Sequence, residues 1–170
     1  LILGIAAALT ICLCVSATLV ALTWGGGIYQ EIRDRRQRTV GLNQAARDGD
    51  LEFRVRGVEC GIGAVGDPFV NQIAVGQFCV VDLAIRNVGH RPAVFSDALQ
   101  KAYGPSGEQF VADSSAGILA NADQQVFLSD INPGNQVTGA LVYDIPPTSR
   151  IVRVKLHHSP GSRGVTVRTS

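Results

Sequence analysis

The sequence predicts an all-β domain, a Greek-key sandwich of about nine short strands, preceded by one N-terminal transmembrane helix. Three observations carry this reading. Leu1 to Trp24 contains no charged side chain. From Leu51 onward apolar and polar residues alternate with a period of two, and clusters of Gly, Pro, Asn and Asp interrupt the alternation at short intervals. No long stretch carries the 3.6-residue period of an amphipathic helix.

As a helix, the uncharged run would extend about 36 Å, enough to cross a hydrocarbon core of about 30 Å. Trp24 and Tyr29 stand at its end, where aromatic rings favour the headgroup region, followed by Arg33, Arg35, Arg36 and Arg38. Val15-Ser16-Ala17 resembles a signal-peptide cleavage site, but the apolar run continues past it to Trp24, which favours a retained anchor. Neither Cys12 nor Cys14 lies in a lipobox, because Ile11 and Leu13 occupy the position that needs a small residue. Gly4 and Ala8, four apart, form a small-xxx-small pair that would let another helix approach closely, a candidate docking site. Residues 1–27 are therefore expected to be the anchor. The polar, arginine-bearing residues 28–48 form a juxtamembrane stalk, and residues 49–170 form the folded domain.

Within that domain, Leu51, Phe53 and Val55 alternate with Glu52, Arg54 and Arg56, the pattern of a half-buried strand. Gly57 shifts the register so that Val58 and Cys60 turn inward, which implies a bulge. Cys79, Val81, Leu83 and Ile85 share one face of the next strand, with Phe78 and Val80 apolar on the other, as expected in mid-sheet. Shorter strands follow at Ala93 to Phe95, Leu99 to Tyr103, Gln109 to Ala112 and Val126 to Leu128, with a turn at Pro105-Ser106-Gly107. Asn132-Pro133-Gly134-Asn135 is a strong turn signal. The strand from Val137 to Tyr143 ends at Pro146-Pro147, and Ile151 to His157 and Val165 to Arg168 complete the set.

Charge and motif content narrow the function classes. From Gly49 onward ten Lys and Arg stand against eleven Asp and Glu, which argues against a nucleic-acid surface. Gly61, Gly63 and Gly66 spell G-x-G-x-x-G, but Asp67-Pro68 follows where a dinucleotide site needs a helix, so an inter-strand loop is expected. His157 and His158 are adjacent and would point to opposite faces of a strand, while His90 lies in a turn. Asp113, Asp123 and Asp130 lack the dense oxygen spacing of a calcium loop. No metal or other cofactor is expected. No G-x-S-x-G elbow is present, although a spatial Ser-His-Asp arrangement is invisible to spacing. Arg150, Arg153, Lys155, Arg163 and Arg168 follow one another without an acid, as a basic strip or a charge-protected edge strand. Cys60 and Cys79 would close a loop of about 20 residues if bonded, worth roughly 3 kcal/mol; two free core thiols are the alternative. A disulfide implies an oxidising, extracytoplasmic compartment, whereas the arginines after the span pull toward a cytoplasmic one.

The succession Val58-Glu59-Cys60-Gly61, Gly76-Gln77-Phe78-Cys79-Val80-Val81 and Asn87-Val88-Gly89 is distinctive. So are Gln100 with Gly107, Ala112-Asp113, Ile131-Asn132-Pro133-Gly134 and Leu141 to Pro146. Together they resemble a telokin-like, immunoglobulin-like family of actinobacterial and Gram-positive envelope proteins of unknown function, related in fold to immunogenic secreted proteins of mycobacteria. The resemblance spans about Leu51 to Val167. It implies an immunoglobulin-like sandwich outside the cytoplasm on a membrane or lipid anchor, and a Cys60–Cys79 disulfide like that of actinobacterial relatives. No catalytic residue is implied. The resulting expectation is a non-enzymatic, single-pass interaction module, an accessory subunit of a larger membrane complex such as a respiratory or transport assembly. Its partner would be an integral membrane protein or complex. A carrier of a lipid or small hydrophobic ligand is the competing reading.

Overall fold

The computed structural model describes residues 39–121 and 129–170. Eleven strands are formed among them: β1 (Thr39–Val40), β2 (Ala46–Asp48), β3 (Leu51–Gly66), β4 (Asn71–Asn87), β5 (Ala93–Val94), β6 (Lys101–Tyr103), β7 (Gln109–Val111), β8 (Asp130–Ile131), β9 (Gln136–Ile145), β10 (Arg153–Leu156) and β11 (Val165–Arg168). One short helix, α1 (Ser114–Ala120), and a 3-10 turn at Asp97–Leu99 interrupt them. The strands assemble as a five-stranded sheet, β1-β11-β10-β6-β7, a four-stranded sheet, β2-β3-β4-β9, and a small β5-β8 pair.

The alternating strands bury their apolar faces against one another. Leu51, Phe53 and Val55 of β3, Cys79, Val81, Leu83 and Ile85 of β4 and Leu141, Tyr143 and Ile145 of β9 supply one side of the core. Ala102, Val154, Leu156, Val165 and Val167 of the five-stranded sheet supply the other, with the Phe95 ring tilted against that of Phe53 at 5.8 Å between centroids. Two opposed sheets sharing one core make the all-β sandwich that the period of two predicts. Gly57 pairs with Asp82 across a register shift after Val55, so the bulge lies where the sequence places it.

β4 lies mid-sheet between β3 and β9, as its two apolar faces predict, and its outer face is covered as well. Phe78 is fully buried there with Val142 and Ala116, because α1 covers that side of the sheet. The Asp113 carboxylate caps α1 by accepting from the Ala116 N–H at 3.0 Å, and the Asp113 N–H donates to the Val142 carbonyl at 2.8 Å. Asn121 closes the other end: its side chain donates to the Ala140 carbonyl and accepts from the Ala140 N–H, both at 2.8 Å.

Several motif residues act as buried polar clamps. The Asn87 amide donates to the Arg91 and Ile131 carbonyls and accepts from the Gly89 N–H. Gln100 ties the Ser96 and His157 main chains together. Gly134, at φ +82°, supplies the positive φ that the third position of the Asn132–Asn135 turn requires, and the turn closes through Asn135 N–H to Asn132 O at 3.0 Å.

Three expectations change in extent. β1 and β2 belong to the two sheets, so Thr39–Val40 and Ala46–Asp48 are strand inside the stretch expected to be stalk. The G-x-G-x-x-G segment is strand rather than loop, since β3 runs through Gly66. The Leu99 to Tyr103 strand is shortened by the 3-10 turn. The expected span, Gly4 and Ala8, and the Val126 to Leu128 strand lie outside the described residues. Among the described residues no helix is long and apolar enough to cross a membrane.

Candidate functional site

The β3–β4 hairpin runs past the end of the sheet that carries it. β9 pairs with β4 only from Gln77 to Arg86, and β3–β4 pairing itself lapses between Ile62/Phe78 and Ala64/Ile73. A disulfide joins Cys60 to Cys79 where this irregularity starts. Beyond it, Ile62, Val65 and Ala74 pack toward α1 and Phe78, and Gln72 donates to the Asp113 carboxylate at 2.8 Å. The tip is a loop, Asp67 to Val70, held by its own first residue. The Asp67 carboxylate accepts from the Phe69 and Val70 N–H groups, both at 2.7 Å, and these bonds lower its pKa. Gly66 has φ +113°, and a Cβ there would lie 2.3 Å from the Val70 carbonyl oxygen, so the tip requires glycine.

This fixed loop presents Phe69, 94% exposed, while Val75, 99% exposed, and Ile73 stand out from β4. Behind the tip lies a cleft of about 420 Å³ on the outer face of the four-stranded sheet. Its walls include Asp67 and Val70 of the tip, Asn121 after α1, and Arg56 and Asp82, which form an ion pair at 2.6 Å. The cleft is open and charged, and it lies outside the sandwich core.

The sequence-predicted chemical groups are mostly dispersed. Asp113 is the helix cap, Asp130 sits exposed on β8, Asp123 lies outside the described residues, and His90 is exposed in a turn. Among the described residues no group of three or more His, Cys, Asp and Glu is placed to hold a metal ion. His157 and His158 follow β10 and meet one buried acid, Asp48. The Asp48 carboxylate accepts from the His158 N–H at 2.9 Å and the Gly164 N–H at 3.1 Å, and it also bonds the Ser162 hydroxyl. His157 Nδ1 lies 3.3 Å from Ser162 Oγ. Serine thus stands between acid and imidazole, whereas a catalytic triad needs the imidazole in the middle to take the serine proton. The cluster fastens the β10–β11 loop to β2. Burial raises the Asp48 pKa, but the His158, Ser162 and Gly164 bonds and the His157 charge outweigh it and leave the pKa lowered. The Tyr143 hydroxyl is buried without a hydrogen-bond partner among the described residues, and burial and the Asp97 charge push its pKa up.

The basic residues occupy a position that sequence spacing does not reveal. Arg153, Lys155 and Arg168 lie on β10 and β11, interior strands of the five-stranded sheet, so charge protection of an edge does not account for them. The helix α1 and the polar cleft were not anticipated either. The cap at Asp113, followed by Ser-Ser-Ala and closed by Asn121, is the one sequence signal that points to α1.

A two-sheet β-sandwich with a cross-strand disulfide and an elaborated outer face defines the class. Within that class, residues 40–166 match a domain of unknown function, DUF4352, and the chain belongs to this family. No curated protein is detectably similar in sequence. A conserved hypothetical protein from Bacillus anthracis shares the fold at TM-score 0.54 and 14% identity, over 74% of this chain and 94% of its own. The secreted protein MPT63 from Mycobacterium tuberculosis does so at TM-score 0.53 and 14% identity, over 76% and 95%. The yjhA protein from Bacillus subtilis does so at 0.54 and 11%, over 76% and 98%. These likenesses establish a β-sandwich fold shared with secreted and uncharacterised bacterial proteins.

Proposed function

We propose that this protein is a non-enzymatic, membrane-anchored, extracytoplasmic interaction module of immunoglobulin-like architecture. It docks as an accessory subunit on an integral membrane complex, such as a respiratory or transport assembly of an actinobacterial envelope. Leu1 to Trp24 is the single-pass anchor, with Gly4 and Ala8 as its helix-docking face. The Cys60–Cys79 disulfide supports the extracytoplasmic side.

The observation that carries the reading is the contrast between the sandwich interior and one outer face. Between the sheets, fully buried Phe53, Leu83, Tyr143, Val154, Leu156 and Val167 occupy the space where a carrier would hold its ligand. Such a carrier needs an apolar pocket of about 300 Å³ or more. A cleft of adequate size among the described residues lies outside the core and carries Arg56, Asp67 and Asp82, which suit a polar protein segment better than a hydrophobe.

The test is gentle detergent extraction of the native protein and identification of what co-purifies, for wild type and for Arg56→Asp/Asp82→Arg. The exchange keeps an ion pair across half-exposed positions but reverses the polarity of the cleft wall. Wild type should bring down an integral membrane complex and the exchanged variant should release it. A protein that extracts alone and yields a bound hydrophobe to organic solvent would establish the carrier instead.

A further inference from the structure

All five strands of the β1-β11-β10-β6-β7 sheet lack Asp and Glu. Val154, Leu156, Val165, Val167 and Ala102 of its three middle strands point into the core, so the residues between them face outward. In the observed register Lys155 lies directly opposite Lys101, and Arg153 directly opposite Arg168. Four cations thus sit side by side across three adjacent strands. Like charges placed opposite one another weaken a sheet. The other sheet does the reverse: Glu52 is flanked by Arg47 and Arg86, and Arg56 pairs with Asp82. One contact eases the crowding, since Arg153 lies over the Tyr103 ring at 4.6 Å.

A domain with near-balanced charge that concentrates cations on one sheet face, at a cost in strand pairing, has a face suited to an anionic surface. The route of the chain indicates which surface. Residues 25–38, which span at most about 50 Å when extended, join the uncharged run to Thr39, and β1 pairs with β11 beside Arg168. Arg33, Arg35, Arg36 and Arg38 precede it, so the basic collar leads to the edge of the basic sheet.

We propose that the outer face of the five-stranded sheet, through Lys101, Arg153, Lys155 and Arg168, binds the phosphates of anionic lipid headgroups. The domain then rests on the bilayer with its cleft turned away from the lipid, toward the extramembrane part of a partner. This rests on the anchored, extracytoplasmic reading above. Each cation near an anionic surface strengthens binding about fivefold at low ionic strength, and salt reverses the effect.

Lys101 and Lys155 are the chain's only lysines, so the face carries its own reporters. The full chain is placed in nanodiscs of phosphatidylcholine alone or with phosphatidylglycerol, and acylation of each lysine is followed by peptide mass spectrometry. Both lysines should acylate more slowly in the anionic discs, and high salt should restore the rate. Arg153→Gln/Arg168→Gln should weaken the binding by roughly 25-fold and so diminish the protection. Equal rates in the two discs overturn the proposal, as does equal protection by free inorganic phosphate in zwitterionic discs, which would define a small-anion site. An acidic protein partner would likewise leave the two discs equal. Retention of the chain in zwitterionic discs after alkaline washing reads the anchor separately, so either claim can fail while the other stands.

Discussion

Removing the Cys60–Cys79 bond is expected to release the outer hairpin before it unfolds the sandwich. The sequence separation is 19 residues, and the enclosed loop contains the whole Asp67 to Val70 tip. Closing a loop of that size in the unfolded chain is worth about 3 kcal/mol in the chain-entropy model. The bond also stands where strand pairing lapses, between Glu59/Val80 and the irregular stretch before Ala64/Ile73. The hairpin beyond it therefore leans on the disulfide, on packing against α1 and on the Gln72–Asp113 hydrogen bond. Cys60→Ala/Cys79→Ala should lose about 3 kcal/mol, or roughly 10 °C in Tm for a domain of this size. The check is urea unfolding of wild type, reduced wild type and the double variant, with hydrogen exchange resolved by segment. Reduced wild type should fall close to the double variant. Amides of residues 61–76 should lose protection well before those of Leu51 to Val55 or Leu83 to Ile85. Equal midpoints for oxidised wild type and the variant would refute the reasoning, as would uniform loss of protection through both sheets.

Two further outcomes are expected. Asp48 has a lowered pKa in the folded protein, so its carboxylate contributes stability above the pKa of an unfolded aspartate and loses it as pH falls through the folded value. Asp48→Asn should be less stable at neutral pH and show a shallower acid limb in urea midpoints, and a limb parallel to wild type would show that the clasp carries no linkage. Gly4→Leu/Ala8→Leu should release the protein from its membrane complex on detergent extraction while leaving the β domain folded. Unchanged co-purification after replacing the span with polyleucine would assign partner choice to the domain alone.

Local order was legible wherever side-chain period and turn chemistry are local properties. The alternation from Leu51 to Val55, the bulge at Gly57, the Asn132-Pro133-Gly134-Asn135 turn and the Val165 to Arg168 strand were each readable from a few neighbouring residues. The two apolar faces of β4 were readable as well, but the helix that covers one of them was not. α1 is only seven residues long, too short to express a helical period, and it holds its place through Asp113 and Asn121 contacting β9. Tertiary structure decided which strands meet. Thr39 pairs with Thr166, and Asp48 meets the Gly164 N–H across 116 residues, relations that no window of sequence contains. The same step turned a string of scattered Arg and Lys into one cationic face, because Lys101 reaches Lys155 only through the β6–β10 register. Period, turns and the uncharged run are written in consecutive residues, whereas sheet order and cross-strand neighbours follow from burying every apolar face at once.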